Sequence, residues 1–445
     1  MSINPEQWKQ RRAEKEQQRK EKEARQRKLW IRAGIAAAIL AVGIALVFFV
    51  ISFFTEKDPQ QPEETIPAES ISAEVSPEDT PEDASEEVSE TPEEDTPSEN
   101  SNTTTIHVVA AGDVNVTDRI VSSGGFNYDY TSVFMDVAHL FGNADLAMVN
   151  LEGNLCGAPY GTTSRSAPQG LVESLDRAGV DAVQLANSYA ISKGISGLHQ
   201  TITAVHAAGM EPLGVYPDSA AFRSEKGFTM YNVEGIKIAV VAFTKGMDGM
   251  ALPAGSEDCV NLLYTDYEST YQEIDRDGIT KILSSVEQER PDITIALLHW
   301  GSEYNDTISP TQEKIVTLMQ ENGVDAIIGT HPHFVQKMVF DQEAGTFVAY
   351  SLGDLISDAD RSGTQYSVVL DLEITKNLRN GKTSIANFSY TPIYTVAEEA
   401  QPLRVVRIHE AIQGYESYFI GRATEAIYND MLYALQRIQA RTTGE

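Results

Sequence analysis

The chain has 445 residues, 42% of them hydrophobic, and carries a formal charge of −31 with 8 histidines and 2 cysteines. A balance this acidic excludes a nucleic-acid binder built on a basic, aromatic-laced face, and two cysteines far apart in sequence give no geometric basis for a disulfide. The charge is also unevenly spread: residues 1–54 hold 11 Lys/Arg against 5 Asp/Glu, residues 55–105 hold one lysine against 17 acids, and the remainder carries −21.

Residues 1–32 form a polar, basic segment, expected to be cytoplasmic, that leads into the uncharged stretch 33–54, AGIAAAILAVGIALVFFVISFF. At about 1.5 Å per residue that stretch reaches roughly 33 Å, enough to cross a hydrocarbon core of about 30 Å. Basic residues before it and acids after it predict a single-pass transmembrane helix in the cell membrane with the C-terminal bulk extracytoplasmic. A cleaved signal peptide would have a shorter apolar region ending in small residues, whereas this one ends in VFFVISFF, so a retained anchor is expected. Residues 55–105 repeat Pro, Glu, Ser and Thr with almost no large apolar side chains. Such a segment cannot bury enough surface to offset ordering entropy, and it is expected to be a disordered acidic spacer.

From residue 106 the chain reads as one globular domain to 412, followed by a C-terminal helix over 413–445. Short apolar runs recur at 105–113, 145–153, 181–188, 237–245, 292–301, 325–333 and 347–354. Helical periodicity falls between several of them, at 194–210 and 311–323, and this alternation predicts α/β. After residue 354 the segments 365–374 and 384–396 alternate as antiparallel strands, and 415–440 reads as an amphipathic helix.

The metal-capable residues fall at the ends of these runs. Asp113 ends the first, Glu152 the second, Asn187 the third, His299 the fifth, and His331 and His333 the sixth, in IGTHPHFVQ. The carboxyl ends of strands in an open α/β sheet converge on one crevice, where two carboxylates, three imidazoles and an amide suit Zn²⁺, Mn²⁺ or Fe. Each residue alone has a plainer reading: Asp113 as a turn or cap, Glu152 as a solvated charge, His299 as a core histidine.

The ordered set AAGDV, DLAMVNLEGNL, LANSYAISKGISGL, LLHWGSEY, IIGTHPHFVQ and YSLGDLI, spanning roughly 106–360, resembles the CapA family of poly-γ-glutamate capsule biosynthesis proteins, within the calcineurin-like metallophosphoesterases. The resemblance implies a four-layer αββα sandwich of metallophosphoesterase type with a divalent metal site, two ions of Mn, Zn or Fe. It implies metal ligation by Asp113, Glu152, His299, His331 and His333, with Glu303 nearby. One motif departs. Where the family reads LANNHALDYG this chain reads LANSYAISKG, so Ser188 replaces the ligating asparagine, Tyr189 the histidine and Ser192 the aspartate, while Asp354 replaces the asparagine of YSLGN. In a hydrolytic site Asn187 is then the candidate substitute for the lost amide and Tyr189 the candidate for orienting substrate.

Two functions follow. One is a membrane-anchored accessory in biosynthesis, export or anchoring of a capsule polymer, poly-γ-glutamate by the resemblance, with polymer synthase subunits and the anionic envelope polymer as partners. The other is a metal-dependent phosphoesterase or related hydrolase acting on the envelope. A domain of −21 repels a polyanion over roughly 8 Å at physiological salt, so polymer binding needs bound cations or a local basic patch. TSRSAP around Arg165 and LRNGK at 378–382 are the candidates for that patch.

Overall fold

The computed structural model describes residues 102–417 and 423–444. The basic segment, the apolar span and the acidic spacer up to residue 101 lie outside the described residues. Among the described residues no helix is long and apolar enough to cross a membrane.

The strands divide between two sheets. In the first, β1 (Thr103–Asn115), β2 (Leu146–Glu152), β3 (Ala182–Gln184) and β4 (Glu211–Leu213) run parallel, and β12 (Tyr366–Asn377), β13 (Thr383–Val396) and β14 (Arg404–Arg407) continue antiparallel from the other side of β1. The second has the order β5 (Thr229–Val233), β6 (Ile236–Thr244), β7 (Ile293–His299), β8 (Ala326–Thr330), β10 (Thr346–Ala349) and β9 (Met338–Asp341), parallel from β6 to β10 with antiparallel strands at both edges. A three-residue strand, β11 (Asp354–Ile356), follows β10 but pairs with β1, so the chain crosses from the second sheet to the first at this point.

Side-chain alternation along each strand sorts residues into layers. On β1, Val109 and Ala111 join a core with α1 (Asp118–Ser123), α2 (Thr131–Phe134), α3 (Ala138–Gly142), α4 (Gly170–Ala178) and α5 (Gly194–Ala207), through Ile120, Phe134, Phe141, Leu175 and Ile202. The intervening Ile106, Val108 and Ala110 face the other way and meet Ile238, Val240 and Ala242 of β6 in a core between the sheets. Ala239, Val241 and Phe243 in turn face Ile282 of α7 (Arg276–Glu289) and Ile315 and Met319 of α8 (Pro310–Glu321). The order is helix, sheet, sheet, helix, and every residue of β2, β7 and β8 is buried, as strands covered on both faces must be. A short α6 (Ser219–Glu225) precedes β5 and buries none of its residues.

Two expectations about boundaries differ. The spacer was expected to run to residue 105, yet Thr103–Thr105 already pair with Thr375–Asn377, because a run of β-branched threonines extends β1 at no cost. The single helix expected near the C-terminus is two, α9 (Ile408–Glu416) and α10 (Glu425–Thr443), the second started by Thr424, whose hydroxyl accepts from Ile427 N at 3.3 Å. Neither helix stands apart: Ile408, Met431, Ala434 and Ile438 belong to the inter-sheet core, and α10 lies against β12, β13 and β9, closing that side.

The crossing from β10 to β11 brings two backbones close together at a pair of glycines. A Cβ on Gly112 would lie 1.7 Å from the Gly353 carbonyl oxygen, and Gly353 itself has φ +78. Gly112→Ala is therefore expected to destabilise the domain by about 3 kcal/mol, through a forced backbone shift rather than lost area. A lowered urea midpoint at unchanged m checks this, with Gly142→Ala, whose Cβ would meet only Ala178 O at 3.7 Å, as the near-neutral control.

Candidate metal centre

The carboxyl ends of β1 and β2 in one sheet and of β7 and β8 in the other meet at the crossing, so the cluster lies between two sheets rather than in the single-sheet crevice expected. Asp113 lies where β1 changes register, opposite Asn150 of β2 and Asp354 of β11, and its N–H donates to Gly353 O at 3.0 Å. Glu152 ends β2 and His299 ends β7. Beside His299, the buried Trp300 donates its indole N–H to Tyr350 O at 2.9 Å, which fixes the end of β7. His331 and His333 follow β8 and flank Pro332 with φ of +93 and +59, a backbone that L residues adopt only when their surroundings impose it.

All five expected ligands are buried, and their donor atoms fall into three overlapping groups, each within 4.8 Å: Glu152, His331 and His333; Asp113, His333 and Asp354; Asp113, Glu152 and His299. Asp354, noted in the sequence only as a departure, thus joins the set. His333 Nδ1 donates to Asp354 Oδ1 at 2.8 Å and lies 3.5 Å from Asp113 Oδ2, while its Nε2 is 3.8 Å from Glu152 Oε2. Asp113 Oδ2 also accepts the His331 N–H at 3.0 Å.

Burial first, and then the Glu152 charge, raise the Asp113 carboxyl to about 7; burial raises Asp354 to about 6. Burial opposes the charge on Glu152 too, but the His299 and His333 imidazoles outweigh it and hold Glu152 below its ordinary value. His333 is held well above its ordinary value by Asp354, Glu152 and Asp113 against burial, whereas burial and neighbouring cations push His331 well below and keep it neutral.

Within the cluster, two buried side-chain atoms lack a hydrogen-bond partner among the described residues: His331 Nδ1, and Glu152 Oε1, which lies 3.0 Å from His299 Nε2 without an aligned bond. A stranded imidazole nitrogen and carboxylate oxygen in a dry cluster are costly unless something binds them, and a mixed N/O set of this kind fits a divalent ion.

The altered motif behaves unevenly. Ser188 Oγ lies 3.1 Å from His299 Nε2, at the cluster. Asn187 does not reach it: its Nδ2 donates to Leu151 O at 2.6 Å and Asn150 Oδ1 at 3.1 Å, and its Oδ1 accepts from Tyr189 N at 3.0 Å. That amide is spent on holding the β2 and β3 ends together. Ser192 Oγ accepts from Asn154 Nδ2 at 2.6 Å. Tyr189 is half-buried under the Arg165 guanidinium, and burial and Glu152 raise its hydroxyl well above the ordinary value. Glu303 is exposed, and its charge acts on Lys245 and Tyr304 at the rim.

Three residues of the site were missed. Asn150 donates to Asp113 Oδ1 at 2.6 Å; it stands two residues before Glu152, on the same strand face, and that spacing could have flagged it. Lys245, at the end of the fourth apolar run, places Nζ 3.0 Å from Gly301 O and 3.1 Å from His331 Nε2. Tyr304 stacks on His333 at 5.2 Å; it closes the LLHWGSEY motif, which flagged it without giving it a role. Of the two basic patches proposed, Arg165 borders the cluster, but LRNGK forms the β12–β13 turn beside the start of β1, at the opposite end of the sheet.

A two-sheet α/β sandwich with a buried carboxylate and imidazole centre at its strand ends is the arrangement expected of a calcineurin-like metallophosphoesterase. A family described as bacterial capsule synthesis protein PGA_cap matches residues 107–359, more than half of the chain, and the chain belongs to that family. It is 27% identical over 215 residues to the capsule biosynthesis protein CapA of Bacillus anthracis, covering 48% of each chain. It is 26% identical to the PGA biosynthesis protein CapA of Bacillus subtilis (strain 168), covering 47% of this chain and 49% of that one. The chain thus spans about half the length of these curated relatives. Among solved structures, the calcineurin-like phosphoesterase YfkN of Bacillus subtilis superposes with a TM-score of 0.41 at 14% identity, over 76% of this chain and 98% of that one.

Elemental analysis of the purified protein is expected to find a divalent transition metal that Glu152→Ala and His331→Ala both lose. Asp113, Asp354 and His333 hold protons more tightly than usual without metal, and those protons must leave on binding. Metal affinity should therefore rise with pH from about 6 to 8, with proton release that calorimetry in buffers of different ionisation heat would count.

Proposed function

We propose that this protein is a membrane-anchored, extracytoplasmic accessory in the biosynthesis, export or anchoring of an anionic capsule polymer, poly-γ-glutamate, working beside polymer synthase subunits. The supporting observation is family membership across 107–359, a span that contains every residue of the cluster. The names of its Bacillus relatives point to the same process. In this reading residues 1–32 are cytoplasmic, 33–54 span the membrane, 55–105 hold the domain away from it, and the domain carries the metal centre.

The site geometry favours holding an anionic group over cleaving one. A divalent ion held by Asp113, Glu152, Asp354 and the three histidines would supply positive charge that binds and polarises an anionic oxygen. Hydrolysis also needs a proton donor for the leaving group. Tyr189 occupies that place, but with its hydroxyl raised above an already weak acid it remains a neutral hydrogen-bond donor. Asn187, the other candidate, is turned away into backbone contacts. Tyr189 and Ser188 therefore orient, and neither is matched to proton transfer near neutral pH.

The second reading, a metal-dependent hydrolase of an envelope phosphoester, is favoured by the gathering of Asp113, Glu152, His299, His331 and His333 in one buried cluster. Two measurements separate them. Deletion of the gene is expected to abolish surface polymer, with restoration by the wild type and by Tyr189→Phe but not by Glu152→Ala. Purified metal-loaded protein is expected to show no turnover on a phosphoester panel; turnover that His331→Ala removes would establish the hydrolase instead.

A further inference from the structure

Two tyrosines border the cluster and each carries a guanidinium on its face. The Arg165 guanidinium carbon lies 4.3 Å from the Tyr189 ring centroid, and that of Arg361 lies 3.8 Å from the Tyr304 centroid. Such stacking fixes the plane of the fork and leaves its edge N–H groups free to donate. A single stacked arginine on a protein surface means little, since such pairs recur about once per 70–80 residues. Here both tyrosines lie beside one buried cluster. Tyr189 and Arg165 sit near Glu152, where the Arg165 charge helps hold that carboxylate ionised. Tyr304 stacks on His333, whose Nδ1 bonds Asp354, and brings Arg361 to the same cluster.

Neither arginine forms an ion pair or a side-chain hydrogen bond among the described residues. Beyond residue 105 the chain carries −21 in net charge, so acids to pair with are plentiful. Lys245 is also without a carboxylate in ion-pair range, donating to Gly301 O and lying against His331 Nε2. Cations without a direct ion-pair partner around a centre that itself fits a divalent ion leave positive charge that an incoming anion would complete.

We propose that Arg165 and Arg361 form paired anion subsites beside the metal cluster that hold separate acidic groups of one extended substrate. The assignment rests on the polymer reading above, because a chain with a carboxylate on every residue can engage both arginines at once. An isolated inorganic phosphate is too short to do so and would bind through the centre and Lys245 alone.

The test uses the full-length, metal-loaded chain and two probes, a γ-linked glutamate oligomer and inorganic phosphate, with affinity measured at low and high salt. Arg165→Gln and Arg361→Gln should each weaken the oligomer about tenfold, the scale of a lost charge-assisted hydrogen bond, and flatten its salt dependence. Phosphate affinity, metal content and thermal midpoint should stay at wild-type values, and Arg165→Lys and Arg361→Lys should recover part of the oligomer affinity. If the wild type binds the oligomer and both Gln variants bind it equally well, the subsites are overturned while the polymer reading stands. If the Gln variants lose metal, the arginines are structural and the assignment is overturned. If the wild type binds no oligomer, the assignment falls together with the reading it rests on.

Discussion

The approach of two backbones at Gly112 and Gly353 is the constraint on which the site depends. The Asp113 amide bonds the Gly353 carbonyl, and one residue further along each strand Asp113 and Asp354 lie side by side. Because β10 belongs to one sheet and β11 to the other, the same contact also ties the sheets together at their carboxyl ends. A side chain at Gly112 would hold these backbones apart, and the carboxylates with them, while one at Gly353 would meet Ser367 and Val335 at a positive φ.

Around that contact the charges are arranged to conflict. Three carboxylates and three imidazoles share a buried space and are pulled in different directions: Asp113 and Asp354 are pushed toward the neutral acid, His333 toward the cation, His331 toward the neutral base. Partial satisfaction of a buried polar network is costly, and the positive-φ histidines add backbone strain. Both costs are of the kind a bound cation offsets, since it accepts lone pairs from every member of the set at once.

Much of this was legible in the sequence, for identifiable reasons. Parallel strands buried on both faces are near-continuous apolar runs, so β2, β7 and β8 were visible, and the chemistry-bearing residues stood at their ends. Strands of three residues, such as β3, β4 and β11, carry too little pattern to define their own limits, and β4 and β11 were not anticipated. Local pattern also does not say how many sheets the runs form. That is decided by long-range pairing such as β1 with β12, which lie some 260 residues apart. The metal-ligand types were readable because Asp, Glu and His are scarce at strand ends without cause. Tyr304 stood within LLHWGSEY with no role assigned to it and Arg361 in no motif, since their role comes only from loops that fold back over His333. The neighbouring Asn187 was misjudged for a related reason: sequence places an amide at a strand end but does not show that its hydrogen bonds are consumed by Leu151 and Asn150.

The placement of α10 bears on how the molecule is made. Arg437 and Arg441 both reach Asp306, in the segment after Glu303, and the Arg441 guanidinium lies 4.6 Å from the ring centroid of Phe334, the residue after His333. The loops that carry two of the imidazoles are therefore braced by a segment made after every ligand of the centre, and β1 waits for β12 before its second edge is paired. Contacts of such sequence separation form late and leave apolar strands uncovered meanwhile. A nascent chain that has not reached residue 441 can already hold every ligand of the centre but not the brace that positions them.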